Sequence, residues 1–170
     1  MFFGRIHPDK GVKEAIELAR LADMRLVIAG IIQDEAYFAR EIAPHIDDDR
    51  VRYVGSAGPS ERDELLGSAL ALVHLVNFAE PFGLSMIEAM ACGTPVIGRR
   101  RGSVPEVVED GVTGYVVDDV TGALAAVAKV PTLDRAKIRA RCAERFSRDR
   151  MVSDYLAVYQ GVLASQALAR

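Results

Sequence analysis

Three short stretches of this 170-residue chain carry side chains whose types and spacing could do chemistry. The first is Gly4-Arg5-Ile6-His7-Pro8-Asp9-Lys10-Gly11. It sets an arginine and a lysine in one loop, the lysine at a helix start, where the positive end of the helix dipole disfavours a cation. A bound phosphate would remove that penalty, because backbone amides and both cations would converge on it. Without one, the stretch is a solvated turn held by Pro8 and Gly11. The second stretch runs from Glu80 through Pro81, Phe82, Gly83 and Leu84 to Glu88, and on to Pro95. Gly83 lets a helix begin close to a ligand and offer free amides to an anion. Glu88 lies among Leu84, Met86, Ile87, Ala89 and Met90, so it reads as a buried carboxylate in need of donors. Ribose hydroxyls would serve, and so would an arginine. Glu80, just ahead of the helix, could reach a second polar part of the same ligand. The third stretch, Arg99-Arg100-Arg101-Gly102-Ser103-Val104-Pro105-Glu106, places Pro105 in a first helical turn behind a Ser103 cap, and its arginines read as solvated surface.

Motifs for other chemistries are missing. The chain has no GxGxxG, no GxxxxGK[ST] and no GxSxG, which leaves hydride transfer, P-loop hydrolysis and triad hydrolysis without support. His7, His45 and His74 stand far apart, none with a serine or cysteine at motif spacing. Cys92 and Cys142 form no CxxC, which speaks against structural zinc and for a reducing compartment.

The elements that must hold these stretches alternate. Apolar runs at Phe2-Phe3, Arg25–Ala29, Val51–Val54, Leu70–Val76, Pro95–Ile97 and Gly114–Val117 read as strands. Helical patterns lie between them: Lys10–Ala22, a segment capped by Asp34 and running to about His45, Ser60–Ala69 behind a Ser-x-x-Asp capping box, Gly83–Ala91 and Val104–Glu109. From Val120 to Gln166 the chain reads as two or three helices, the C-terminal ones starting at about residue 132. Strands apolar throughout and separated by helices predict a doubly wound, Rossmann-like α/β parallel sheet of about six strands, in one domain over 1–170. Such sheets bind ligands beyond the carboxyl ends of their strands, where all three stretches fall.

Composition sets the outer bounds. With 50% hydrophobic and 26% charged residues the chain is an ordinary globular domain, and 21 basic against 24 acidic side chains leave −3, which excludes a broad nucleic-acid footprint. No apolar run approaches a membrane span and no signal-peptide core opens the chain, so a cytoplasmic location is expected. The stretch from Asp134 to Arg150 is locally basic; it reads as a solvated helix, and it could also touch an anionic membrane face from the inner side.

In this order, the stretches resemble the C-terminal, donor-binding domain of GT-B-fold glycosyltransferases, in particular the large retaining family four, glycosyltransferases group 1. The resemblance is carried by Gly4-Arg5…Lys10-Gly11, by Glu80-x7-Glu88 enclosing Phe82-Gly83-Leu84, by Glu88-Ala89-Met90-Ala91-Cys92-Gly93-Thr94-Pro95-Val96, by Pro105-Glu106-Val107-Val108 with Gly111-x-x-Gly114, and by the segment from Phe146-Ser147 to Tyr155 and Tyr159. It implies a nucleotide-sugar as donor substrate, no cofactor and no catalytic metal. Arg5 and Lys10 would neutralise the departing diphosphate, Glu88 would accept ribose hydroxyls, and Glu80 would orient the donor sugar and help stabilise its developing positive charge. Gly4 and the amides around Phe82, Gly83 and Leu84 would meet sugar and phosphate, and Val54-Gly55 would contact the base. It also implies an N-terminal acceptor domain that this sequence lacks, to be supplied by a longer chain or a separate subunit. Alternatives to hexosyl transfer are a nucleotide-sugar-binding module without turnover and a relative of the nucleotide-sugar 2-epimerases.

Overall fold

The computed structural model describes residues 1–168. Six parallel strands form two three-stranded sheets. In the first, β1 (Phe2–Phe3) pairs with β2 (Leu26–Ala29), and β2 pairs with β3 (Val51–Tyr53). In the second, β4 (Leu72–His74) pairs with β5 (Val96–Arg99), and β5 pairs with β6 (Gly114–Val117). The sheets meet at Met1, whose amino group donates to the Ala71 carbonyl at 2.7 Å and whose carbonyl accepts from the Val73 amide at 2.8 Å. The resulting order is β3-β2-β1-β4-β5-β6, the doubly wound arrangement whose direction reverses between β1 and β4.

Each face of the sheet carries its own core. On one face Val73, Leu75, Ile97 and Val117 pack with Ala15, Ile16 and Leu18 of α1 (Val12–Leu21) and with Ala123 and Ala126 of α6 (Val120–Val127). On the other, Leu72 and Val96 pack with Met86, Ala89 and Met90 of α4 (Leu84–Ala91), Leu66 of α3 (Pro59–Ser68) and Ile138 and Cys142 of α7 (Arg135–Phe146). Burial on both faces is why these strands are mostly apolar; the departures are Arg52, exposed on the edge strand β3, and His74 and Arg99 at the carboxyl ends of β4 and β5.

Several local expectations change. α3 opens behind Gly58 with Pro59 in its first turn, not at a Ser60 capping box, because proline already fits a helix start. The segment after Asp34 is helical but irregular: a turn of α-helix, α2 (Glu35–Tyr37), gives way to a π-helical stretch over Phe38–Ile42 and a 3-10 turn over Ala43–His45. The Asp34 cap is present, its carboxylate accepting from the Tyr37 amide at 2.8 Å. Ser103 does not cap α5 (Val104–Val107); its hydroxyl is buried without a partner.

The basic stretch is not simply solvated. Arg135 donates to the Gly67 and Ala69 carbonyls at 2.6 and 2.8 Å and to Thr94 Oγ1 at 2.8 Å, stapling α7 to the end of α3. Arg141 pairs with Glu109, and Arg145 caps the carbonyl of Val107 at 3.1 Å. The last helix, α8 (Arg148–Leu168), is exposed along the whole length over which its side chains are described, through Ser165. No helix among the described residues is long and apolar enough to cross a membrane.

Candidate functional site

The loops after β1 and β4 lie on either side of the point where strand order reverses, and the site forms between them. After β1 the chain turns through a 3-10 helix, Pro8–Lys10, into Gly11. Gly11 has φ 76°, and a Cβ there would stand 2.1 Å from the Leu75 carbonyl oxygen, so only glycine lets α1 start this close to β4. The Asn77 amide donates to the Asp9 carbonyl at 2.7 Å, tying the two loops together. Lys10 is thereby aimed across the gap. Its ammonium donates to Glu80 Oε2 at 2.9 Å and rests 4.4 Å from the centre of the Phe78 ring. The cation at a helix start, odd in the sequence, is balanced in this structure by a carboxylate seventy residues away.

Glu80 is 6% exposed. Its backbone is clamped from the third stretch: the Ser103 amide donates to the Glu80 carbonyl at 2.8 Å, and a Cβ on Gly102 would lie 2.2 Å from that oxygen. The arginine loop, read from sequence as solvated surface, thus buttresses the site through its glycine and serine. Arg99 itself pairs with Asn77, and Arg100 with Asp118 at 3.2 Å. His74, at the end of β4, also faces Glu80, with Nε2 3.6 Å from Oε2. The imidazole and the Lys10 ammonium outweigh burial and hold the Glu80 carboxyl down at about pKa 2. No sequence signal marked His74, because its partners are set by the fold alone.

α4 begins at Gly83, in the left-handed region at φ 80°, with no side-chain cap on its first amides. A Cβ on Gly83 would stand 2.3 Å from Met86 Cε and 3.3 Å from Glu80 Cγ. The helix is not buried all round: Leu84 is 64% exposed and Phe82 43%. Glu88, one turn beyond Leu84, corrects the buried-carboxylate expectation. Its side chain is 30% exposed and accepts from Arg62 Nη1 of α3 at 2.9 Å. The other faces of α4 meet the core, which explains the apolar sequence around it.

Of the ten residues nominated from sequence, Gly4, Arg5, Lys10, Glu80, Phe82, Gly83, Leu84 and Glu88 line one open cleft of about 470 Å³, with Phe3, Pro81 and Ser85. The volume suits a small-molecule ligand. Arg5 is exposed at its edge and donates to Gln33. Val54 and Gly55 are not in it. They follow β3, two strands from β1, where the Gly55 carbonyl accepts from Gly30 at 2.8 Å. A separate, mostly apolar cleft of about 60 Å³, lined by Met1, Leu18, Ala22, Leu26 and Val130, lies under the amino ends of the strands and brings no catalytic side chains together.

Comparison with known proteins identifies a family and a fold. Residues 1–146 match the family model described as Glycosyl transferases group 1. Among curated relatives, an N-acetyl-alpha-D-glucosaminyl L-malate synthase of Bacillus anthracis is 39% identical over 70% of this chain and 32% of its own length. A D-inositol 3-phosphate glycosyltransferase of Mycolicibacterium vanbaalenii is 32% identical over 98% of the chain and 44% of its own length. The chain therefore spans less than half the length of these relatives. Of solved structures, AviGT4, a glycosyltransferase involved in avilamycin A biosynthesis, superposes with a TM-score of 0.78 at 28% identity over 96% of this chain and 51% of that one. HepE of Anabaena, solved in complex with UDP-glucose, superposes with a TM-score of 0.75 at 21% identity over 92% of this chain and 48% of that one, a likeness of fold.

Proposed function

Because this chain belongs to the group 1 glycosyl transferases, we propose that it is the donor-binding half of such an enzyme and takes a nucleoside-diphosphate hexose for retaining transfer to an acceptor held by a second domain. The observation that carries this reading is the single cleft at the strand-order reversal that gathers two cations, two carboxylates and the uncapped start of α4. The UDP-glucose bound by the Anabaena neighbour of like fold supports the ligand class.

In this reading Lys10 and Arg5 meet the diphosphate, whose charge grows as the glycosidic bond breaks. Cations and amides already fixed in place stabilise that charge without reorganising at the moment of reaction. The ammonium of Lys10 has three donors, so it can turn to a phosphate oxygen while staying near Glu80. Glu88 exchanges its half-buried Arg62 partner for ribose hydroxyls, and Glu80 faces the sugar. Val54 and Gly55, on the same carboxyl edge but outside the cleft, are assigned to the base.

Backbone amide NMR of the chain titrated with nucleoside-diphosphate hexoses tests the assignment. Shifts should concentrate at Gly4, Arg5, Gly83, Leu84 and Glu88. Shifts confined to the apolar cleft around Met1 and Val130 would move the site elsewhere. Hexose transfer appearing once an N-terminal domain is supplied would separate an enzyme half from a binding module, and epimerised nucleotide-sugar formed without acceptor would favour the third alternative.

A further inference from the structure

His74 is 5% exposed, its Nε2 is buried without a hydrogen-bond partner, and no role in the reading above uses it. The ring bridges the two loops of the site. Nδ1 lies 3.5 Å from the Ser85 hydroxyl in the first turn of α4, and Nε2 lies 3.6 Å from Glu80 Oε2. Gly83 packs against that edge of the ring, where a Cβ would stand 3.6 Å from Nε2.

We infer that His74 is a positioning residue for Glu80: an imidazole steadied by Ser85, whose Nε2–H takes over the carboxylate when Lys10 turns to the diphosphate. The inference rests on the donor-site reading for its consequence, but its geometry stands independently of it. An ionised carboxylate can only accept, so the nitrogen that faces Glu80 is the one that carries a proton, and Nδ1 is left to the Ser85 hydroxyl. The acceptor facing that proton is Glu80 Oε2, a few tenths of an ångström beyond hydrogen-bond reach while Lys10 holds it at 2.9 Å. Glu80's side chain is only 7% exposed, so little water can reach it to replace the bond it loses as the ammonium turns to the phosphate. A buried carboxylate left without a donor would take up a proton or swing away, and either change would remove its charge from the sugar. His74 keeps it ionised and aimed.

Two measurements decide this. In nitrogen-15 spectra of the ligand-free chain at neutral pH, His74 should be the Nε2–H tautomer, and Lys10→Met should shift its Nε2–H downfield as the bond to Glu80 shortens. An Nδ1–H tautomer, or no response to Lys10→Met, overturns the inference with no ligand involved. In titrations with whichever of UDP, GDP or ADP binds, with and without its hexose, His74→Phe should cost the hexose conjugate about tenfold while the bare diphosphate stays within about twofold. His74→Gln, which restores an N–H near the place of Nε2, should recover most of that loss, and Ser85→Ala should reproduce part of it. Equal losses for diphosphate and conjugate in His74→Phe, with no recovery in His74→Gln, would make His74 merely structural. If no nucleotide binds the wild-type chain, the donor reading fails, and the ligand-free spectra still decide the link between His74 and Glu80.

Discussion

Glu80 and Glu88 are eight positions apart and chemically identical, yet the fold gives them opposite surroundings. Glu80 is sealed between Lys10 and His74, whereas Glu88 stands half-open and shares Arg62 with solvent. The consequences differ in kind. Glu80's carboxyl is held at about pKa 2, below its ordinary 4.5, so its ionised form stabilises the fold above about pH 4.5, and that contribution is lost as pH falls toward 2. Asp47, which accepts from three backbone amides, and Glu109, paired with Arg141, are also depressed and add to the same acid limb. Glu80→Gln should therefore flatten, without abolishing, the fall of Tm between pH 4.5 and 2; an unchanged slope would mean that Glu80 is not ionised in the fold. For Glu88 the expectation is reversed. An exposed pair contributes at most about 1 kcal/mol, so Glu88→Ala should barely move Tm but weaken nucleotide-sugar binding by about 1–3 kcal/mol. Calorimetry showing unchanged affinity would remove its ribose role.

At the scale of elements, the loops matter more than the helices they join. Gly102 has φ 57°, and its missing Cβ would strike the Glu80 carbonyl oxygen at 2.2 Å and nitrogen at 2.4 Å. Both atoms are backbone and neither can step aside. Gly102→Ala should destabilise the chain by about 2 kcal/mol or more and displace Glu80, whereas Gly111→Ala, at φ 74° with open space around it, should cost only about 1 kcal/mol of backbone strain. Equal effects on thermal unfolding would show that the third stretch does not support the site. This contrast also marks what was legible in sequence. The strands were readable because burial on both faces leaves mostly apolar runs, broken only by residues such as Arg52 on the edge strand, and Gly83 and Lys10 were readable because glycine and a lysine at a helix start are locally odd. Glu88 was misread because a helical pattern reports which residues neighbour it, not that α3 brings Arg62 alongside. His74, Ser103 and Gly102 were missed for the same reason: their meaning comes from contacts with a loop that the local pattern cannot reveal. The N-cap of α3 was misplaced because proline in a first turn competes with a side-chain cap, whereas Ser103 does stand at the N-cap of α5, ahead of Pro105, but makes no capping bond.

For the molecule as a whole, the two cores and the Met1 junction make one sheet in the order β3-β2-β1-β4-β5-β6, and the reversal at β1 and β4 opens the cleft on a single side. α8 leaves this body exposed, presenting Met151, Tyr155, Tyr159 and Leu163, the two tyrosine rings lying 6.3 Å apart. The central claim is that this half of a group 1 glycosyltransferase binds its donor by itself. Calorimetric titration of the chain with UDP, GDP, ADP and their hexose conjugates tests that claim most directly. The account predicts that one nucleoside diphosphate binds in preference to the other two, that its hexose conjugate binds at least as well, and that Lys10→Ala weakens the diphosphate far more than the nucleoside. Binding of none of them, or equal losses for diphosphate and nucleoside in Lys10→Ala, would contradict it.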